Sequence, residues 1–184
     1  MHEEVIFAGF GGQGVLLMGQ LVTYAGMMEG RNVTWMPSYG PEMRGGTANC
    51  GVVVSEREIA SPLVNEPTSV VAMNRPSLEK FQGMVRPGGL VIYNSSLVDT
   101  RPSRSDVRVL AVPANEIANE IGDMRVANMV ALGAYLAATG VVSVETVLAA
   151  MKKVLPERRH GLIPLNEQAI ARGRDLAAAS GRVG

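Results

Sequence analysis

Hydrophobic positions fall into short strand-length runs in the first half of the chain and into a three-to-four-residue period in the second. Val5-Ile6-Phe7-Ala8 is an unbroken apolar run that passes straight into Gly9-Phe10-Gly11-Gly12-Gln13-Gly14. Beyond the glycines, Leu17, Leu21, Tyr24, Ala25 and Met28 recur three and four residues apart, which puts them on one face of a helix. Glu29-Gly30-Arg31-Asn32 ends that helix, and residues 32–36 predict a second strand. Pro37 is expected to stop it by withdrawing a ladder donor.

A long helix would follow in a simple dinucleotide fold. Residues 37–46 instead hold two prolines and several glycines, so a loop takes the helix's place. Val52-Val53-Val54 and Ile59 flank the polar Ser55-Glu56-Arg57-Glu58, a pattern that predicts a hairpin and antiparallel pairing in the sheet. Further strands are predicted at 69–73, 90–93 and 107–112, with a short helix at 78–84 begun by Pro76 and Ser77. From Pro113 the pattern is helical, with candidates at 114–121, 126–138, 144–155 and 165–179. Crossovers need covering helices and the hairpin needs an antiparallel neighbour. The expected architecture is a single α/β domain over 1–184, three-layer α/β/α with a mixed, mostly parallel sheet, a Rossmann-like start and a helical C-terminal tail.

Composition narrows the function. Apolar residues make up 47%, enough for a core without disulfides or metals. Lys plus Arg and Asp plus Glu are 17 each, which leaves no basic stripe for nucleic acid. Cys50 is the only cysteine, so an internal disulfide, a Cys-rich zinc site and a protein-ligated iron–sulfur cluster are excluded. Met1-His2-Glu3-Glu4 lacks the basic start of a signal peptide, and the expectation is a cytoplasmic protein. Residues 126–142 fall just short of a spanning helix and contain Asn128 and Thr139; they read as a buried or interface helix, with no membrane role. Aromatic residues are 4%, and eleven methionines stand in for rings.

The candidate chemistry lies in two loops. Gly9-x-Gly11-x-x-Gly14 fits the dinucleotide fingerprint in its letters and in its strand-to-helix setting. The acid expected after the second strand to hold a ribose hydroxyl is absent, because Trp35-Met36-Pro37-Ser38 stands there. Another phosphate-bearing ligand, or tight strand–helix packing, remains open. The second loop, Ser38-Tyr39-Gly40-Pro41-Glu42-Met43-Arg44-Gly45-Gly46, offers one guanidinium suited to a carboxylate or phosphate, or to a neighbouring subunit. Cys50 reads as an inert buried thiol, and neither His2 nor His160 has metal-ligand spacing. Hydrolase-elbow and P-loop motifs are absent.

These two loops together resemble the gamma subunit, or gamma domain, of the 2-oxoacid:ferredoxin (2-oxoacid:acceptor) oxidoreductases. The family's Gly-x-Gly-Gly-Gln-Gly matches Gly9 to Gly14, and its Ser-Tyr-Gly-Pro-Glu-x-Arg-Gly-Gly matches Ser38 to Gly46. Ala72-Met73-Asn74, Gly88-Gly89 followed by Tyr93-Asn94-Ser95-Ser96, and Asn166, Ala169 and Gly173 are similar too. The resemblance covers nearly the whole chain. It implies membership in a multi-subunit enzyme that decarboxylates a 2-oxoacid oxidatively with coenzyme A, giving an acyl-CoA, carbon dioxide and reduced ferredoxin.

The resemblance further implies thiamine diphosphate, iron–sulfur clusters and coenzyme A in the complex, none of them bound by this chain alone. Gly122-Asp123 is followed by Met124, not the glycine of a thiamine-diphosphate motif. The implied partners are alpha, beta and delta (ferredoxin-like) subunits, with ferredoxin as the acceptor of the complex; for the isolated chain, monomer and homodimer both stay open. The second loop's form is similar to the 2-oxoglutarate and branched-chain branches rather than the pyruvate branch. No catalytic residue and no metal ligand is expected. The expected cofactor-binding residues are Gly9, Gly11, Gly12, Gln13 and Gly14 with Ser38, Tyr39, Gly40, Glu42, Arg44, Gly45 and Gly46. A stand-alone NAD-dependent oxidoreductase and a purely structural assembly subunit are the alternatives.

Overall fold

A computed structural model of the chain describes residues 1–39 and 47–181. The elements are β1 (His2–Phe10), α1 (Val15–Met28), β2 (Asn32–Tyr39), β3 (Thr47–Ser55), β4 (Ser69–Ala72), α2 (Arg75–Phe81), β5 (Leu90–Asn94), β6 (Arg108–Val112), α3 (Ala114–Ile121), α4 (Ala127–Thr139), α5 (Val144–Val154) and α6 (Ile163–Ser180). Six strands form one sheet in the order β2-β3-β1-β4-β5-β6. The pairs β1–β4, β4–β5 and β5–β6 are parallel, and β3 runs antiparallel to both β1 and β2. The mixed, mostly parallel sheet is as expected.

Three local expectations are corrected. Pro37 does not end β2, which continues to Tyr39. The strand lies at the sheet edge, where a missing donor can face away from the ladder. The hairpin through Ser55-Glu56-Arg57-Glu58 does not form, because Ile59 lies outside any strand. β3 spends its two edges on β1 and β2, and Pro62 and Pro67 withhold donors from the segment that follows. Third, α2 starts at Arg75, earlier than the proline signal suggests, because Asn74 caps it by accepting from the Ser77 N–H at 2.9 Å.

Alternation along the strands sends side chains to two unequal cores. Val5 and Phe7, with Cys50, Val52 and Val54, face a large cluster built with α1, α3, α4, α5 and α6. Phe7 meets the buried Tyr135 ring edge-on, with centroids 5.3 Å apart. Ile6, Ala8, Val70 and Val91 face a smaller cluster covered by α2 and by Val64 from the segment after β3. The third layer is therefore thin.

α4 is buried along ten consecutive residues, 127–136, which settles the apolar stretch as a core helix. Its position depends on α6. A methyl group at Gly173 would land on the Val130 carbonyl oxygen, and one at Gly133 on the Ile170 carbonyl oxygen. The two backbones thus touch at reciprocal glycines, and the helical tail completes the layer.

Candidate functional site

All the parallel strands point their carboxyl ends to one edge of the sheet, and the chain leaves β1 and β4 toward opposite faces. α1 packs on the larger core and α2 on the smaller. That divergence makes the gap between β1 and β4 the topological switch point, where open α/β sheets place their ligands. The loop of Gly9, Gly11, Gly12, Gln13 and Gly14 sits there.

Gly14 is the N-cap of α1 with φ 74°, and no side chain caps the helix. Its first-turn N–H groups and dipole are available to an anion. Only glycine is tolerated at this cap, because a Cβ on Gly14 would strike the Asn128 amide. Gly11 and Gly12 are exposed. Gly9 is buried and belongs to the strand, so it serves packing rather than contact.

The second loop begins and ends at the same edge of the sheet. Phe10 pairs with Thr47 and Gly9 with Ala48, while Ala48 also pairs with Tyr39 and Asn49 with Ser38. Of the strands that flank residues 40–46, β3 therefore starts one strand spacing, ~5 Å, from the end of β1, and β2 ends two spacings, ~10 Å, from it. Ser38 is exposed on β2. Gly40, Glu42, Arg44, Gly45 and Gly46 lie outside the described residues.

Strand order also bears on the nicotinamide reading. In a dinucleotide fold the strand after the first helix lies beside the first strand, and its terminal acid reaches the ribose. Here β3 is inserted between them. The acid is missing and its strand is displaced.

Five amide side chains occupy the switch point, and sequence reasoning had named only Gln13 among the ligand-site residues. Gln13 Oε1 accepts from the Phe10 N–H at 2.6 Å and from Asn74 Nδ2 at 3.3 Å, while its Nε2 donates to the Met73 carbonyl at 3.3 Å. Asn94, at the end of β5, donates to the same carbonyl at 3.4 Å and to Asn115 Oδ1 at 2.7 Å. Asn94 Oδ1 accepts from the Ala114 N–H at 3.1 Å, supplying α3 with the cap that Pro113 lacks. Asn128 Nδ2 donates to the Gly14 carbonyl at 3.2 Å. Gln13 thus stitches β1 to β4 across the gap that a dinucleotide would enter.

The open space lies on the other side of Gly12, toward α4. One cavity of about 120 Å³ is bounded by Gly12, Gln13, Asn115 and Arg125. A second, of about 280 Å³, is bounded by Gly12, Gly14, Leu17, Arg125, Arg159 and Asn166. Asn128 lines both. Arg125 is held over this groove by Asp123, whose carboxylate takes its guanidinium at 2.7 Å and its backbone N–H at 2.9 Å. Those hydrogen bonds keep the Asp123 carboxyl down at about 2.

Neither Asn128, Arg125 nor Arg159 carried a motif. Asn128 meets the glycine loop 114 residues away in sequence, a proximity that only tertiary packing creates. Asn74 and Asn94 had a faint signal, since each directly follows an apolar strand.

The other candidates are inert. Cys50 is fully buried against the Val15 carbonyl, and burial pushes its thiol up to about 12. One such cysteine does not suit an iron–sulfur cluster. His2 contacts Glu4, and His160 contacts the Leu155 carbonyl. Among the described residues no group of three His, Cys, Asp or Glu could hold a metal, and no helix is long and apolar enough to cross a membrane.

Comparison with known proteins fits this geometry. The family model described as "Pyruvate ferredoxin/flavodoxin oxidoreductase" matches residues 4–176. The 2-oxoglutarate synthase subunit KorC of Methanothermobacter marburgensis is 36% identical over 96% of this chain and 97% of its own length. The ketoisovalerate oxidoreductase subunit VorA of the same organism is 49% identical over 73% of this chain, and the match spans only 28% of that longer protein. Among solved structures, the gamma subunit of a keto/oxoacid ferredoxin oxidoreductase from Geobacter sulfurreducens superposes with a TM-score of 0.82 at 31% identity, covering 96% of this chain and 99% of that one.

Proposed function

We propose, proceeding from the fact that the chain belongs to the pyruvate ferredoxin/flavodoxin oxidoreductase family, that it is the gamma subunit of a 2-oxoacid:ferredoxin oxidoreductase. The complex would convert 2-oxoglutarate or a branched-chain 2-oxoacid, with coenzyme A, to the acyl-CoA while reducing ferredoxin. The end-to-end match to KorC carries this reading, because it pairs this chain with a separate subunit of nearly equal extent. The VorA match keeps the branched-chain substrate in view.

In this reading the chain contributes binding, and the redox and decarboxylation chemistry belongs to partners. Thiamine diphosphate and the clusters are assigned to alpha, beta and ferredoxin-like subunits, since Cys50 is the only cysteine and is sealed in the core. The first glycine loop and Arg44 receive phosphate groups of coenzyme A, through helix-start amides and one guanidinium. The inserted β3, the absent ribose-binding acid and the Gln13 bridge all weigh against a stand-alone NAD enzyme.

The role of Arg44 is tested in the assembled complex. Arg44→Ala is expected to raise the coenzyme A concentration for half-maximal turnover about 10-fold, the effect of one charge-assisted hydrogen bond. An intact complex with unchanged coenzyme A dependence would remove the ligand role, and failure to assemble would make Arg44 an interface residue.

A further inference from the structure

The two margins of the sheet are finished differently. β2 carries Pro37, which blunts its edge against a further strand. β6 closes the other margin with Arg108-Val109-Leu110-Ala111-Val112, has no proline, and pairs only with β5. The Arg108 N–H donates to the Gly89 carbonyl and the Val112 carbonyl accepts from the Ser95 N–H, so the even-numbered residues turn their main-chain groups toward β5. Val109 and Ala111 therefore turn theirs outward, where nothing among the described residues pairs with them.

An open edge alone is met by water. Here a cleft of about 700 Å³ runs beside it, on the side of the sheet that α4 and α6 cover. The strands contribute Leu90 and Leu110 to its lining, α4 contributes Ala137 and Ala138, and α6 contributes Ala177 and Ala178. Alanines leave a space there that longer side chains would fill. Arg108 lines the cleft at the start of β6, exposed and with no carboxylate within salt-bridge distance among the described residues; Asp106, two residues earlier, is taken by Arg104. Leu90 and Arg108 begin their strands, so the cleft lies at the opposite edge of the sheet from the glycine loops.

We propose that β6 receives a strand from a different subunit, an extended segment with apolar side chains at alternate positions and a carboxylate at the end beside Arg108. Its main chain pairs with Val109 and Ala111, every second side chain enters the alanine-lined cleft, and its carboxylate meets the Arg108 guanidinium. Charge and backbone together select this occupant. A helix laid in the cleft would leave Val109 and Ala111 unpaired. A second copy of β6 would pair with them, but it brings only valine, leucine, alanine and another arginine, and no acid for Arg108. The proposal rests on the multi-subunit reading of the preceding subsection and gives one of those subunits a seat, away from the loops assigned to ligand.

The test compares the isolated full chain with the assembly purified from its own cells. Hydrogen exchange is expected to slow about 10-fold or more at the Val109 and Ala111 amides in the assembly, because they gain partners there. A photoreactive p-benzoylphenylalanine in place of Ala178, an exposed position, is expected to join one other subunit through an extended segment that contains Asp or Glu. Arg108→Glu is expected to weaken association with that subunit about 10-fold, and Arg108→Lys to keep most of it. Arg108 is exposed, so both variants are expected to melt with the unaltered chain.

Unchanged exchange at Val109 and Ala111 overturns the proposal. So does a cross-link to a helix or to a second copy of this chain, an Arg108→Glu chain that associates as before, or a chain that binds no other polypeptide. The two readings fail separately. An assembly that reduces ferredoxin with coenzyme A but leaves β6 unprotected sinks only the added strand; a strand seated on β6 in an assembly without that activity sinks only the subunit assignment.

Discussion

Gly173→Ala is expected to destabilise the protein by ~3 kcal/mol, lowering the melting temperature by roughly 6–12 °C for a chain of this size. The sign of the change is what matters. In an ordinary helix interior alanine is favoured over glycine by about 1 kcal/mol, so a helix with room to spare would gain stability. Here the new methyl would meet the Val130 carbonyl oxygen, and the reciprocal Gly133→Ala would meet that of Ile170. Backbone atoms cannot rotate away as a side chain can, so α4 and α6 would have to separate. Separation would also move Asn128 on α4 away from the glycine loop and Asn166 on α6 away from the groove. Thermal unfolding followed by circular dichroism measures this, and a rise in melting temperature would show that the helices are not in backbone contact.

Asn94→Ala is the second large effect, expected at about 2 kcal/mol. The loss comes from leaving the buried Ala114 N–H without its acceptor and removing one donor from the Met73 carbonyl. α3 has no side-chain cap of its own, so β5 holds the start of that helix from outside. Asn94→Asp keeps the acceptor at the helix start but turns a buried carboxylate oxygen on the Met73 carbonyl and Asn115 Oδ1, to which Asn94 Nδ2 donates, and is expected to recover only part of the lost stability. Denaturant unfolding of the two variants checks this order. Equal losses would mean that Asn94 acts through its donor and not as the cap of α3.

How far these features could be read in the sequence depends on how local their causes are. The strand, glycine loop and helix from β1 to α1 are written in adjacent residues, and they form where expected. The helices after Pro113 follow from apolar period alone, and α3 matches its expected span. Pro37 was misread because its consequence depends on strand position: the same residue that would break a central strand is harmless at the β2 edge. The hairpin after Val54 was misread for a related reason. Apolar residues on both sides of a polar stretch signal a strand but not a partner, and β3 already has two.

The site was half visible. Its glycines announce themselves, because their φ and exposure are backbone properties of a short stretch. The amides of Asn115 and Asn128 and the guanidinium of Arg159 do not, since chain crossings bring them to Gly12 and Gly14 from more than a hundred residues away. Asn166 and Gly173 look like a single helical motif in the sequence. In the fold they do separate work, one lining the groove and the other letting α6 touch α4.

The central claim is that this chain is a binding subunit of a coenzyme A-dependent 2-oxoacid oxidoreductase. Its most direct test is to isolate the chain from its own cells under anoxic conditions and assay the purified material for 2-oxoacid-dependent ferredoxin reduction with and without coenzyme A. The expected result is co-purification with subunits carrying thiamine diphosphate and iron–sulfur clusters, and reduction that requires coenzyme A. A chain that purifies without such subunits, or an assembly whose activity ignores coenzyme A, would contradict the account.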